Sequence, residues 1–231
     1  MSRFALFAEQ VKNNYRYAVS VSHVTDFWTV HVCRRIAAVL VVSVSNFPIT
    51  PNYISWLGFS SGMGGSYLLY LGKFQLAAFL FFLSAILDCA DGQLALLKNS
   101  ISVGGLYLDL TLDAVRDLIT FTVFMVIFLD TRFQWLAIIV LFLVSLTLIF
   151  DWAHRTVTQT AKPTRPGTPQ TFRGKYGIQF WTVPIRNFVI FVSLLLSKPQ
   201  WVIFYSILIG GYLTIKKGVV ILAIARKQDN P

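Results

Sequence analysis

Apolar residues run through this chain in long stretches, with polar residues gathered in short breaks between them. A helix that crosses a bilayer needs roughly 20 such residues. About six stretches qualify: about Asn52 to Leu71, Phe74 to Leu97, Val103 to Leu129, Phe133 to Trp152, Tyr176 to Leu196 and Trp201 to Ala225. The first is rich in Gly and Ser. The second carries Asp88 and Asp91. The third carries Asp109, Asp113, Arg116 and Asp117, so acids lower the hydropathy of both. Pro184 predicts a kink, and Gly210-Gly211 a close helix contact, in the last two spans. No internal repeat is visible.

Residues 1–50 read differently. Ile36 to Val44 is apolar but too short to span, and Pro48 and Pro51 end it. Phe27, Trp28 and Val32 beside Arg34 and Arg35 predict an amphipathic helix in the membrane interface, or a short cytoplasmic helix packed on the bundle. The expected fold is all-α: a polytopic membrane protein with a bundle of about six transmembrane helices, preceded by that interfacial helix. The domain division is a 1–50 cytoplasmic or interfacial segment and a 51–231 transmembrane domain.

Composition supports this class. Of 231 residues, 55% are hydrophobic and 13% charged, about half the charged share of a soluble domain. Mean hydropathy is +0.64. The formal net charge of +10 fits basic loops facing the cytoplasm and its anionic lipids, with no nucleic-acid partner implied. Arg34, Arg35, Lys98, Arg155, Lys162, Arg165, Arg173, Lys175, Arg226 and Lys227 fall on one side of the predicted spans, and Lys73, Arg132 and Lys198 on the other. The positive-inside rule then puts both termini in the cytoplasm. There is no early apolar run ending in small residues, so the first span is the expected targeting signal. Cys33 and Cys89 form no metal or redox spacing and read as packing.

The chemistry concentrates between residues 88 and 113. Asp88 and Asp91 are three apart, and Asp109 and Asp113 four apart, so each pair shares a helix face. The connection near Lys98 to Val103 is short, which predicts that the two helices are antiparallel neighbours with their acidic faces meeting. Acids in hydrocarbon are costly and mark function. Four together repel one another, and divalent metal relieves that; carboxylate oxygens suit Mg2+ or Mn2+, which also favour phosphate. Gly92, Ala95 and Gly105 allow close approach of a ligand or helix. Metal, phosphate and a flat ligand together indicate a nucleotide diphosphate.

The string Asp88-x2-Asp91-Gly92-x2-Ala95-x9-Gly105-x3-Asp109-x3-Asp113 resembles the signature of the CDP-alcohol phosphotransferases, D-x2-D-G-x2-A-R-x8-G-x3-D-x3-D. Ile49-Thr50-Pro51-Asn52 resembles that family's entry to its first span. One position departs: Leu96 stands where the family has Arg, which bears on the substrate and on the activity.

The resemblance implies a metal-dependent transferase that moves a substituted phosphate from a CDP-linked donor, CDP-diacylglycerol favoured, to an acceptor alcohol, releasing CMP in phospholipid synthesis. By analogy Asp88, Asp91, Asp109 and Asp113 hold two Mg2+ or Mn2+ ions, and Asp113 also acts as base. Gly92, Ala95 and Gly105, with Asn52, line the nucleotide pocket. Lys98, Arg116, Arg155 and Arg186 are candidates for a phosphorylated acceptor. The resemblance further implies a homodimer. The basic residues and the short distance from Asp91 to Lys98 put the expected active site on the cytoplasmic side of the membrane, expected to be a prokaryotic cytoplasmic membrane. Two alternatives stay open: an ion- or proton-coupled transporter using the Asp cluster, and a family member whose activity is altered by Leu96.

Other residues have plainer readings. Asp117 continues the Asp109/Asp113 face and either tunes the base or pairs with Arg116 or Arg186. Asp151 and Arg155 are spaced for a helix salt bridge. His23, His31 and His154 show no ligand spacing. Trp28, Trp152, Trp181 and Trp201 fit aromatic belts.

Overall fold

Helix boundaries fall where the sequence interrupts its apolar runs. The computed structural model describes residues 3–21, 27–161, 183–212, 214–215 and 218–219; the side chains of 3, 4, 21, 150–161 and 183–185 lie outside that description. Among the described residues the elements are helical: α1 Arg3–Val21, a π-helical turn Thr29–Cys33 running into α2 Arg34–Val44, α3 Pro51–Tyr70, α4 Phe74–Leu97, α5 Val103–Phe128, α6 Gln134–Ala161, α7 Val183–Leu195, and α8 Gln200–Tyr205 continued by a π-helical turn Ser206–Gly210.

Local chemistry explains the ends that frame the acidic segment. Pro51 opens α3, where a missing N–H costs nothing. Asn99 ends α4 with φ +49, and Ser100 N donates back to Ala95 O at 2.9 Å, a left-handed cap that Asn tolerates. Ser102 Oγ accepts from Gly105 N at 2.9 Å and caps α5. The α4–α5 connection is therefore short and fixed.

The helix arrangement qualifies one expectation. The acidic faces of α4 and α5 do meet through their side chains, Asp88 with Asp109 and Asp113 and Ser84 with Arg116, but the two backbones scarcely approach each other and α3 packs closely against both. The reason lies in α3's small residues. A Cβ at Gly58 would stand 3.3 Å from Leu87 Cβ of α4, and one at Gly62 would stand 2.5 Å from Arg116 Cδ of α5. Small residues let helices approach, and here they draw both acidic helices onto the third. Hydroxyls add cross-links: Ser61 Oγ donates to Leu80 O at 2.9 Å, Ser84 Oγ to Gly58 O at 2.8 Å, and Ser66 and Thr120 share a 2.9 Å bond.

Two apolar clusters flank this unit. One gathers Leu69, Phe81, Phe121, Phe124, Val144 and Leu194 from α3 to α7. The other joins Ala37 and Val41 of α2 to Ile54 of α3 and Ile86, Ala90 and Leu94 of α4. α2 thus packs on the bundle through Ala37 and Val41, while Phe27, Ile36 and Val39 stay exposed. α1 was not anticipated: its outer face is polar, and it buries Asn14 and Ala18. Trp28 packs on Phe82, Phe188 and Phe191 at 5.3, 4.6 and 5.7 Å between ring centres, so it ties the N-terminal segment to α4 and α7.

By length and apolarity, one helix among the described residues is sufficient to cross a membrane: α4, with 24 residues. The charges of α5 and the Gly and Ser of α3 lower their hydropathy, and the apolar parts of α6, α7 and α8 are shorter. The exposed surface is nonetheless rich in large apolar side chains, among them Trp56, Leu57, Phe79, Leu118, Trp135 and Phe142. His23, Trp181 and residues 162–175 fall outside the described residues, as do the side chains of Asp151, Trp152, His154 and Arg155.

Candidate active site

Three helices converge on one cleft. α3 contributes Ser55, Gly58 and Phe59, α4 contributes Asp88 and Asp91, and α5 contributes Asp109, Leu112, Asp113 and Arg116. Carboxylate oxygens of Asp88, Asp109 and Asp113 all lie within 4.8 Å of one another. The helical spacing read from the sequence sets Asp109 and Asp113 on one face, and α3 brings that face opposite Asp88. Asp91 lines the same cleft. It is buried, at 7% exposure, and accepts a 2.6 Å hydrogen bond from Ser55 Oγ.

A guanidinium sits beneath the acids. Arg116 Nη2 lies 2.5 Å from Asp113 Oδ1. Its Nη1 lies 3.9 Å from Asp88 Oδ1 and donates to Ser84 Oγ at 3.3 Å. Its Nε is 4.0 Å from Asp117 Oδ1, and Asp117 in turn holds Arg186 of α7 in a close ion pair. Alternating charges therefore run from the cleft to α7. Arg116, Asp117 and Arg186 are nearly inaccessible, where each charge depends on its partners for stability.

Five carboxylates (Asp88, Asp91, Asp109, Asp113, Asp117) meet two guanidinium groups here, leaving an excess of negative charge. That excess, with hard oxygen donors converging inside 4.8 Å, fits a divalent cation of the Mg2+ or Mn2+ type.

The other sequence candidates spread around this centre. Asn52 lies one turn before Ser55 on α3 and is exposed; its Oδ1 would be 3.5 Å from a Cβ on Gly105. Gly92 is exposed with open space where a side chain would go. Ala95 and Leu96 are half-buried in the last turns of α4. Lys98 Nζ donates to Phe47 O and Ile49 O at 2.8 and 2.9 Å, tying the α2–α3 connection to the end of α4. Arg116 and Arg186 are engaged by carboxylates, and the side chain of Arg155 lies outside the description. Sequence reasoning passed over Ser55, Ser84, Gly58 and Gly62. The four-residue spacing of Gly58, Gly62 and Ser66 signals a contact face, but not which helices it meets.

Over 75 residues the chain is 35% identical to archaetidylinositol phosphate synthase of Pyrococcus horikoshii, a stretch that is 32% of this chain and 40% of that protein. Over 84 residues it is 38% identical to an uncharacterised protein of Aquifex aeolicus, covering 36% of this chain and 42% of that protein. The chain thus spans about two fifths of the length of the curated relatives it matches. Residues 48–223 match the CDP-alcohol phosphatidyltransferase family; that span holds the whole carboxylate cleft and the three helices that form it, and the chain belongs to this family.

Proposed function

We propose that the chain is an integral-membrane transferase of phospholipid synthesis, moving a substituted phosphate from a CDP-linked donor to an acceptor alcohol with release of CMP. The observation that carries this reading is the convergence of Asp88, Asp109 and Asp113 within 4.8 Å inside the family-matched segment.

Asp88, Asp91, Asp109 and Asp113 would hold two Mg2+ or Mn2+ ions. Bound there, such ions offset negative charge on the donor's pyrophosphate and on departing CMP. Asp113 takes the proton from the acceptor hydroxyl. The acceptor oxygen bonds to the phosphorus farther from cytidine, the bond from that phosphorus to the bridging oxygen breaks, and CMP leaves with that oxygen. Ser55 fixes Asp91, and α3 keeps the two acidic helices at working separation, so much of the rate comes from positioning. The exposed end of the cleft, with Gly92, Ala95, Gly105 and Asn52, would receive the nucleoside. Of the four basic residues read as acceptor contacts, Lys98, Arg116 and Arg186 are engaged within the fold; Arg155 stays a proposed contact on its sequence position alone.

Exposed Trp56, Phe79, Trp135 and Phe142 around a charged interior support a bilayer location, because a patch of that kind on a soluble protein would be an interaction surface. The apolar runs support six spans, and the distribution of basic residues between the two sides supports cytoplasmic termini and a cytoplasmic site. A lipid donor, CDP-diacylglycerol, suits a cleft inside a membrane bundle. The name of the Pyrococcus relative makes a phosphorylated inositol the first acceptor to test. A homodimer in a prokaryotic cytoplasmic membrane completes the reading.

The test is CMP release by protein purified in detergent, across CDP-diacylglycerol, CDP-choline and CDP-ethanolamine, with and without inositol phosphate. Release should require Mg2+ or Mn2+ and be largest for the lipid donor. Robust release in EDTA, or none from any CDP-linked donor, overturns the reading.

A further inference from the structure

A cation already sits among the carboxylates, and the fold reserves its place. We propose that Arg116 is a built-in counter-cation and positioning residue, holding Asp113 in place and offsetting the carboxylate charge whether or not metal is present. The inference rests on the reading of the cleft as a metal-dependent transfer site.

Burial is the first support. Arg116 is 4% exposed, so protein groups take the place of water around its charge. Those groups belong to the site: Asp113 at 2.5 Å, Asp88 at 3.9 Å and Asp117 at 4.0 Å. Ser84 accepts from it at 3.3 Å.

The socket is the second. A Cβ on Gly62 would lie 2.5 Å from Arg116 Cδ and 2.9 Å from Cγ. No ordinary side chain at 62 coexists with Arg116 in this rotamer, so the glycine and the arginine form one unit spanning α3 and α5.

The anchoring is the third. Asp117 is held by Arg186 from α7, which fixes the inner end of the charge row. Arg116 is thus kept between a fixed Asp117 and the cleft, with Nη2 against Asp113, Nη1 against Ser84 and Asp88, and Nε toward Asp117. Planar guanidinium presents several donors in fixed geometry, which a lysine ammonium does not.

Two consequences have opposite signs. Without Arg116, Asp113 is no longer held and turnover falls. Without Arg116, the carboxylates also no longer share their charge with a guanidinium, so a divalent ion binds more tightly and stabilises the protein more. General structural damage would weaken both.

The experiment uses the full chain in detergent, with Mn2+ as probe. Two quantities are read for each protein: kcat for CMP release, and the melting temperature in EDTA and through a Mn2+ titration. In Arg116→Gln, kcat should fall roughly a hundredfold, the scale of an active-site misplacement of about 1 Å. Its Mn2+ half-point should move to lower concentration, and its Mn2+-induced rise in melting temperature should exceed that of the wild type. Arg116→Lys should keep a near-wild-type Mn2+ half-point and only part of kcat. Gly62→Ala should lower kcat in the native background and be nearly silent on Arg116→Ala, a non-additivity expected of residues sharing one space. Unchanged kcat and Mn2+ half-point in Arg116→Gln, or additive effects of Gly62→Ala and Arg116→Ala, would overturn the proposal. If Arg116→Gln does not fold, Arg116→Lys and Gly62→Ala decide it by the same two readouts. A wild type that binds Mn2+ but releases no CMP from any donor refutes the transferase reading, while the Mn2+ titrations still decide the role of Arg116.

Discussion

Ser55 of α3 donates a 2.6 Å hydrogen bond to Asp91 Oδ2 of α4, so the helix without acids sets the orientation of one of the four. Hydrogen bonds to charged groups are worth about 1.5–3 kcal/mol. Ser55→Ala should therefore destabilise the protein by about 2 kcal/mol and slow CMP release, because Asp91 loses its fixed rotamer. Ser55→Thr, which retains the hydroxyl, should recover much of the rate. Identical melting and rate in Ser55→Ala would show that Asp91 is held by other means.

Asp113→Asn should remove most of the turnover and also lower the melting temperature, because buried Arg116 is left with only the more distant Asp88 and Asp117 as charged partners. Loss of a positioned base costs on the order of 10²–10⁴ in rate, and Asn keeps the size of the side chain beside Arg116. Asp91→Asn should also abolish release, through metal binding. CMP release by phosphate-resolved assay and melting in detergent separate the two effects. Wild-type turnover in Asp113→Asn would sink its role as base.

Asp117 and Arg186 make a buried pair between α5 and α7. Removing one partner strands a charge, at a cost of about 3–5 kcal/mol. Arg186→Met and Asp117→Leu should each lower the melting temperature sharply. The double variant should melt above either single one, because it leaves neither of these two charges stranded. If the double variant melts below both singles, the pair contributes more than mutual neutralisation.

Divalent metal should stabilise the folded protein. Ligand at about 100 times its Kd adds about 2.7 kcal/mol, which is visible as a rise in melting temperature on adding Mn2+ to EDTA-treated protein. An Asp88→Asn/Asp109→Asn variant should show little rise. An equal rise in that variant would place the Mn2+ site elsewhere.

The sequence carried the acidic pairs and their helices closely, because local signals determine both. Lys73 and the Lys98-Asn99-Ser100 turn bound α4, and Ser102 caps α5, so the ranges read from apolar runs agree with Phe74–Leu97 and nearly with Val103–Phe128. What was illegible is relational. A short α4–α5 connection is compatible with direct packing or with a third helix set against both, and only the close approach of Gly58 and Gly62 decides it. α1 escaped notice because its outward residues, such as Lys12 and Arg16, are polar and its buried face is short. Asp117 could be read as a base-tuning group or as a structural partner; the position of Arg186, 69 residues away in the chain, chooses the second.

Two glycines should respond in opposite ways to an added side chain. At Gly58 a Cβ would stand 3.3 Å from Leu87 Cβ, 3.6 Å from Ser84 O and 3.7 Å from Asp88 N, all on α4. Alanine there asks α4 to give by a few tenths of an ångström; valine asks for more than the backbone can give. Overpacking costs about 1–3 kcal/mol, so Gly58→Val should melt lower. It should also lose CMP release, since the displaced turn carries Asp88. At Gly92 nothing lies within 4 Å of the added atom, and alanine favours a helix over glycine by about 1 kcal/mol. Gly92→Ala should therefore melt at or above the wild-type temperature. If the space over Gly92 receives the nucleoside, the same variant should raise KM for the CDP-linked donor and leave the metal requirement unchanged. Unchanged donor KM in Gly92→Ala would move the nucleoside to another wall of the cleft, and a stable, active Gly58→Val would show that α3 does not set the separation of the acids.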